Sequence, residues 1–395
     1  MLPQETIDII KSTVPVLEQH GQTITTVFYK NMFEAHPELL NIFNQANQSQ
    51  GRQQNALASL VYAAAKNIDN LGAVLPAVVE VAHKHKSLNI TPDQYPIVGY
   101  YLLGAIKEVL GDAATPEIIG AWGEAYEVIA GVFIGIEKEM YEEAEQMDGG
   151  WETFKDFKIA DKVVESDVIT SFYLKPVDGK VLPSYKPGQY ITLRVTIHEE
   201  EYTVNRQYSL SQAPTGDSYR ISVKREDEAS PNGVMSVNLH LNMTVGDTVE
   251  VSVPAGVFHL DTESTNPVTL ISGGVGITPL MSMYESIAKN TPDRSVAFLH
   301  SARTRRHQAF NDVLNTLNSS MSASKYSVLY SDEGDGFMTR DYLAENVIEG
   351  SDIYVCGPPP FLQSVMRDLH ALGIPEEKIH FEFFGPAIEL DLVNA

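Results

Sequence analysis

The chain is poor in the residues that several function classes need. Its 395 residues include a single cysteine, Cys356. One thiol excludes an intramolecular disulfide framework and any site built on two thiolates of the same chain, and a reducing compartment fits that usage. Basic residues are also scarce: 28 Lys and Arg face 52 Asp and Glu, a formal charge of −24. Such a surplus of negative charge argues against broad binding to nucleic acid or anionic lipid. The first ten residues lack the basic start and long apolar core of a secretion signal. Apolar stretches such as residues 73–82 are broken by charge well before the ~18 residues that suggest a membrane span. There is no internal repeat and no long low-complexity segment. The expectation is a cytoplasmic, monomeric protein without a membrane span, of two or three domains at roughly 150 residues each.

What is present changes character twice along the chain. Residues near 5–20, 22–35, 53–68, 73–88, 93–110 and 116–146 space their apolar side chains by three or four, which predicts amphipathic helices. Pro37, Pro92 and Pro116 stand where such helices start or stop. After the acidic run Glu142, Glu143, Glu145, the pair Gly149-Gly150 breaks the pattern, so residues 1–149 read as an all-α domain. From about Phe157 the period becomes two, as in Ile191, Leu193, Val195 and in Val249, Val251, Val253, with turns at Pro187-Gly188, Gly216-Asp217 and Gly246-Asp247. Residues 150–262 therefore read as an antiparallel β-barrel. From 263 to 395, apolar strands near 268–272, 296–300, 326–330 and 353–356 alternate with helical stretches. That alternation predicts an α/β domain with a parallel sheet and a ligand site at the strand C-termini.

Several motifs carry chemistry. Arg206-Gln207-Tyr208-Ser209 closes a predicted strand: Arg suits a diphosphate, Tyr an aromatic ring system, Ser a ring nitrogen. Gly273-Gly274-Val275-Gly276-Ile277-Thr278 joins a strand to a helix and lets backbone approach a phosphate at the helix N-terminus. Cys356-Gly357 opens a sharp turn after a later strand. Arg303, Arg305, Arg306 and His307 cluster after the second strand of the sheet. They read equally as an acceptor for a nucleotide 2′-phosphate and as a solvated turn, so NADH and NADPH both stay open. In the helical part, His83 and His85 point roughly 200° apart on a helix, so one straight helix cannot aim both at one site. His85 shares a face with Val78, Val81 and Ala82, which suits either a haem wall with one axial ligand or a packed core histidine. By their own patterns, Tyr29 reads as an amphipathic core tyrosine and Glu137, in Glu137-Lys138-Glu139, as a solvated helix face.

In order and spacing, the motifs of residues 150–395 resemble those of the ferredoxin–NADP reductase family. The resemblance implies FAD on the barrel, held by Tyr190, Arg206, Gln207, Tyr208 and Ser209. It implies NAD(P)H near Gly273, Gly274, Val275, Gly276, Ile277, Thr278, Cys356 and Gly357. The segment Glu382-Phe383-Phe384-Gly385-Pro386 matches the one that covers the flavin, with Phe384 as the covering ring. One departure is Ser236-Val237-Asn238-Leu239-His240, where relatives often read Ser-Asn-x-Leu-His. The stretch 387–395 carries no recognisable motif.

With Tyr29, Phe43, Gln53, Leu57, Lys84-His85 and Tyr95, residues 1–147 resemble a globin, and the joined chain resembles the flavohaemoglobins, a nitric oxide dioxygenase family. That resemblance implies haem b with His85 as iron ligand, and Tyr95 and Glu137 on its other ring nitrogen. It places Tyr29 and Gln53 over bound dioxygen, Leu57 as a steric limit and Phe43 against the porphyrin. Lys84 is expected at a haem propionate or the reductase, with Glu382 as its candidate partner. The activity implied converts two NO and two O2 to two nitrates per NAD(P)H, FAD splitting the hydride pair into single electrons. An O2- or NO-sensing globin, or a general flavin reductase of ferric complexes, quinones or peroxides, would use the same cofactors.

Overall fold

A computed structural model of the protein describes residues 2–44, 48, 51–228 and 232–385. The chain divides into two compact units: residues 1–147, 151–153 and 196–205 form one, and the remainder forms the other.

The first unit is helical: α1 (Gln4–Ala35), α2 (Arg52–Lys66), α3 (Leu75–Leu88), α4 (Tyr95–Leu110) and α5 (Pro116–Gln146). The apolar spacing predicts a break near residue 21, but α1 runs on as one helix. Its buried stripe of Leu17, Ile24, Phe28 and Met32 keeps phase across Gly21, and Pro15 is accommodated inside the helix. Gly21 faces α2, where a Cβ would lie 3.5 Å from Ala58, an ordinary contact distance, so a single glycine passes inside the helix without breaking it. Asn89, at φ 59°, stops α3 in the left-handed conformation that Asn tolerates, and its N–H caps the helix on the His85 and Lys86 carbonyls. Thr115 caps α5 by accepting from the Ile118 N–H, with Pro116 in the first turn.

α1 packs on α2, α4 and α5, and α3 packs on α5. Two apolar clusters result. The larger one holds Phe28, Tyr29, Met32, Leu102 and Trp122; the smaller holds Val74, Val78, Ala82, Tyr95, Ala130 and Phe133. Among the described residues, α5 alone is long and apolar enough to cross a membrane. Here it is a packing helix of the unit that carries the buried Glu137. Asn41 also ties residues 196–205 into this unit: Thr203 N–H donates to its Oδ1 at 3.0 Å, and Asn205 Nδ2 donates to its carbonyl at 2.7 Å.

The second unit holds two sheets. β1 (Phe154–Val164), β2 (Ile169–Pro176), β3 (Tyr190–Val195), β4 (Val204–Ser209), β5 (Tyr219–Lys224) and β6 (Thr248–Ser252) lie in the order β4-β3-β6-β1-β2-β5. β1 pairs antiparallel with β2 and with β6. The sheet rolls back on itself where the chain leaving β4 bridges β5 at Leu210–Ile221. A short helix, α6 (Val234–Leu241), lies between β5 and β6. It sits over the sequence Ser236–His240 and is held by Lys162, whose ammonium donates to the carbonyls of Leu239, His240 and Met243 at 3.1, 2.8 and 2.9 Å.

The second sheet is parallel, as the alternating pattern predicts. β7 (Val268–Gly273), β8 (Val296–Ala302), β9 (Ser324–Tyr330), β10 (Asp352–Cys356) and β11 (Ile379–Glu382) lie in the order β11-β10-β7-β8-β9. The helices α7 (Ile277–Asn290), α8 (Asn311–Ser320), α9 (Arg340–Asn346) and α10 (Pro359–Ala371) connect them. β7 is buried throughout and lies at the middle of the sheet, so the glycine turn that follows it opens at the centre of the strand C-termini.

Candidate functional site

In the helical unit, side chains of α4 and α5 converge on the imidazole of His85, which α3 carries. His85 Nδ1 lies 2.7 Å from Glu137 Oε1 and 3.1 Å from the Tyr95 hydroxyl. The Tyr95 hydroxyl in turn donates to the same carboxylate oxygen at 2.6 Å. Because that hydroxyl spends its proton on Glu137, the Nδ1–H is left to donate to the carboxylate, and Nε2 carries the free lone pair. Phe133 flanks the imidazole at 5.6 Å between ring centroids. Burial, reinforced by the hydrogen bond and charge of Glu137, pushes the Tyr95 hydroxyl far above the ordinary tyrosine range.

Nε2 makes no hydrogen bond among the described residues. Nor is there, among them, any group of three or more His, Cys, Asp or Glu that could hold a bare metal ion. A lone imidazole nitrogen suits an iron that brings its own four equatorial ligands, which is what haem does.

In the larger apolar cluster, Tyr29 is buried against Phe28, Phe33 and Phe43, with ring centroids at 4.7, 5.7 and 5.8 Å. Burial raises the pKa of its hydroxyl, and the Gln53 side chain is hydrogen-bonded to it. Leu57, one turn along α2 from Gln53, packs half-buried on the same cluster. The expected set of Tyr29, Phe43, Gln53 and Leu57 is therefore gathered in one place. Lys84, beside His85 on α3, is half-buried and lies on another face of the helix.

In the second unit, Arg206, Gln207 and Tyr208 are half-buried on β4, whereas Ser209 is buried. Burial raises the Tyr208 hydroxyl pKa, with Arg206 opposing and Glu226 adding to the shift. Tyr190 starts β3, and its ring lies against Gly256 so closely that a Cβ there would approach it to 3.0 Å. Gly256, at φ +116°, is thus required on two counts. Phe384 is 49 % exposed, an aromatic ring in need of a partner surface. Half-buried aromatics beside an arginine fit a flavin and its diphosphate. Asn238 spends its side-chain oxygen on Asn242, and His240 is tied to the Val223 carbonyl at 2.8 Å. Pro386 lies outside the described residues, as does the stretch 387–395.

The glycine and cysteine motifs meet in space. β7 and β10 are parallel neighbours with Ser272 opposite Cys356. A Cβ on Gly276 would stand 2.3 Å from the Cys356 carbonyl oxygen, and one on Gly273 would stand 2.8 Å from the Phe361 ring. Phe361 also fills the face of Gly357, at 2.6 Å from where a Cβ would stand. Residues 273–278 and 356–357 therefore form one small glycine-rich platform at the N-terminus of α7, a shape that admits a dinucleotide diphosphate. Cys356 itself is fully buried in the core. Burial, with the charge of Glu382 adding, pushes its thiol well above the usual range. Glu382 ends β11 opposite Cys356. Phe383 and Gly385 follow, with the Gly385 N–H donating to the Phe383 carbonyl at 3.1 Å.

Comparison with known proteins bears on this arrangement directly. Residues 26–133 match the globin family, 157–260 an oxidoreductase FAD-binding domain and 270–367 an oxidoreductase NAD-binding domain. The flavohemoprotein of Halalkalibacterium halodurans is 51 % identical over 400 residues, covering 98 % of this chain and 97 % of its relative. The chain belongs to the flavohemoprotein family. The Bacillus subtilis flavohemoprotein is 49 % identical, covering 99 % of both chains. The crystal structure of the Malassezia yamatoensis flavohemoglobin, which holds FAD and heme, is similar at a TM-score of 0.87 and 29 % identity, covering 97 % of this chain and all of that one. This family member is accordingly an oxidoreductase whose cofactors are haem, FAD and NAD(P)H.

Sequence reasoning missed Phe133, Phe361, Lys162 and Gly256. Phe361 alone had a nearby signal, since it closes the run Cys356-Gly357-Pro358-Pro359-Pro360-Phe361.

Proposed function

We propose that the chain is a nitric oxide dioxygenase, turning NO and O2 into nitrate with electrons from NAD(P)H. The carrying observation is the Glu137 carboxylate at 2.7 Å from His85 Nδ1, in a chain that also carries FAD- and NAD-binding domains. An anionic partner makes the imidazole a stronger electron donor through Nε2, which suits oxygen chemistry better than oxygen storage. When bound, haem supplies the iron at which the two gases meet, and FAD supplies the step from a two-electron hydride to single electrons.

The chain's own residues do the rest. Glu137 and Tyr95 hold His85 in one tautomer and one orientation. Tyr29 offers an O–H donor in a water-poor pocket where such a donor is strong. Gln53 orients that hydroxyl, and Leu57 limits the space beside it. The overall balance is two NO, two O2 and one NAD(P)H giving two nitrates, NAD(P)+ and one proton.

The test adds NO to the holoenzyme in air with NAD(P)H. Nitrate is expected to accumulate at two per NAD(P)H consumed, and H85A is expected to lose this while still reducing ferricyanide. Nitrate formation by H85A at the parent rate, or none by the parent chain, would sink the reading. A sensor globin would consume NAD(P)H only transiently in this assay.

A further inference from the structure

We infer that Asp332 and Glu333 select NADH over NADPH, by engaging the arginines that would otherwise accept a 2′-phosphate. The inference rests on the NAD-binding domain and deepens the proposed function by naming its electron donor.

The sheet order locates the adenosine. The glycine turn after β7 stands at the middle, with β10 and β11 on one side and β8 and β9 on the other. The aromatic segment that suits a flavin, Phe383-Phe384, follows β11. A dinucleotide whose diphosphate rests on the glycine turn must send its nicotinamide toward the flavin, so its adenosine lies toward the ends of β8 and β9.

Those two strand ends are stitched together. Ala302 pairs with Tyr330 in the parallel register, and the Asp332 N–H donates to the Arg303 carbonyl at 2.9 Å. Arg303 Nε donates to Asp332 at 3.3 Å and its guanidinium also lies 3.7 Å from Glu228. Glu333 accepts the Arg305 backbone N–H at 2.8 Å and pairs with its guanidinium at 3.2 Å. The Arg305 guanidinium also lies 4.5 Å over the Tyr330 ring. Arg306 is paired with Asp167 at 2.6 Å.

Every arginine of the cluster therefore faces a carboxylate, and the four acids outnumber the three bases. A ribose with two free hydroxyls fits beside carboxylates, which accept its hydrogen bonds. A 2′-phosphate, carrying about −1.5 to −2 at neutral pH, meets net negative charge and must break two ion pairs to reach Arg303, or the Glu333 pair to reach Arg305. The basic cluster, ambiguous in the sequence, is thus neutralised by Asp332 and Glu333 after β9 and by Asp167 and Glu228 from elsewhere in the unit.

The experiment measures NAD+ and NADP+ binding to the FAD- and haem-loaded protein by calorimetry, alongside NADH- and NADPH-driven ferricyanide reduction. The parent chain is expected to bind NAD+ at least tenfold more tightly than NADP+. D332N/E333Q should narrow that ratio about tenfold or more, mainly by tightening NADP+, and adding R305A should undo the gain. Equal affinities in the parent, or an unchanged ratio in D332N/E333Q, would overturn the inference. Neither readout requires NO, so a failure of dioxygenase activity would leave the ratio fully decisive. Both side chains are solvent-facing, and the Asn and Gln replacements keep their shapes.

Discussion

Glu137 grips His85 across 52 residues of sequence, its Oε1 2.7 Å from the imidazole Nδ1, and the same oxygen accepts the Tyr95 hydroxyl at 2.6 Å. Glu137 is 3 % exposed, so this carboxylate has given up water for two protein donors. Replacing it with Gln keeps the shape and removes the charge. In the haem-loaded protein, E137Q is expected to lower the iron–histidine stretching frequency seen by resonance Raman and to cut NO turnover by about 10- to 100-fold. NADH-driven ferricyanide reduction should stay at the parent rate. An unchanged stretching frequency would mean that the carboxylate merely fills space.

Tyr29 brings its only polar side-chain atom into an otherwise aromatic cluster, where burial pushes its pKa above the ordinary tyrosine value. Removing the hydroxyl in Y29F costs one hydrogen bond in a dry pocket, about 1–1.5 kcal/mol and so about tenfold in an equilibrium. Oxygen dissociation from the reduced protein, followed by stopped flow, should speed up by about that factor, with lower NO turnover and an intact reductase. Off-rates equal to the parent's would remove Tyr29 from the role.

How much of this could be read from the sequence depends on the range of the contact involved. The strands near 268–272, 296–300 and 353–356 were readable because local periodicity and turn chemistry decide them. The glycine and cysteine turns were readable as motifs, but their joining was not: it follows from β7 and β10 being neighbours, with Gly276 against the Cys356 carbonyl. The predicted break in α1 failed because a lone glycine costs a helix only about 1 kcal/mol, and the buried stripe from Leu17 to Met32 carries the helix across Gly21. Phe133, Lys162 and the pairing of Glu333 with Arg305 join elements remote in sequence, so nothing near them announces the partner. The arginine cluster shows the limit best. Its charge was visible as a run, and its neutralisation came from acids remote in sequence, after β9 and at Asp167 and Glu228.

His300, at 1 % exposure on β8, has its Nδ1 2.7 Å from the Ser272 hydroxyl, and burial holds its pKa at about 4. The imidazole is neutral in the fold and titrates near 6.5 when unfolded. Between those values the unfolded chain binds more protons, so stability is full above about pH 6.5 and is lost as pH falls toward 4. The loss attributable to this residue is on the order of 3 kcal/mol. H300Q should flatten the fall in unfolding free energy measured by urea titration between pH 6.5 and 4.5. Burial lowers His240, His259 and His380 in the same direction, and these remain in the variant, so the difference between the two curves isolates His300. Parallel curves would contradict the assignment.

The platform under the nucleotide offers a comparison within a single turn. Gly274 sits at φ +54° with open space where a Cβ would go, whereas a Cβ on Gly276 would press on the Cys356–Gly357 backbone at 2.3–2.7 Å. Backbone cannot swing aside as a side-chain tip does, so G276A must spread β10 from the turn. The expected cost is about 1–3 kcal/mol of stability, the usual range for overpacking, together with a raised KM for NADH. G274A bears only the left-handed conformation, about 1–2 kcal/mol, and leaves the Cys356 turn in place. Urea unfolding followed by flavin fluorescence measures the first quantity, and ferricyanide reduction measures the second. If the two variants raise KM equally, the contact between Gly276 and Cys356 does not shape the nucleotide platform.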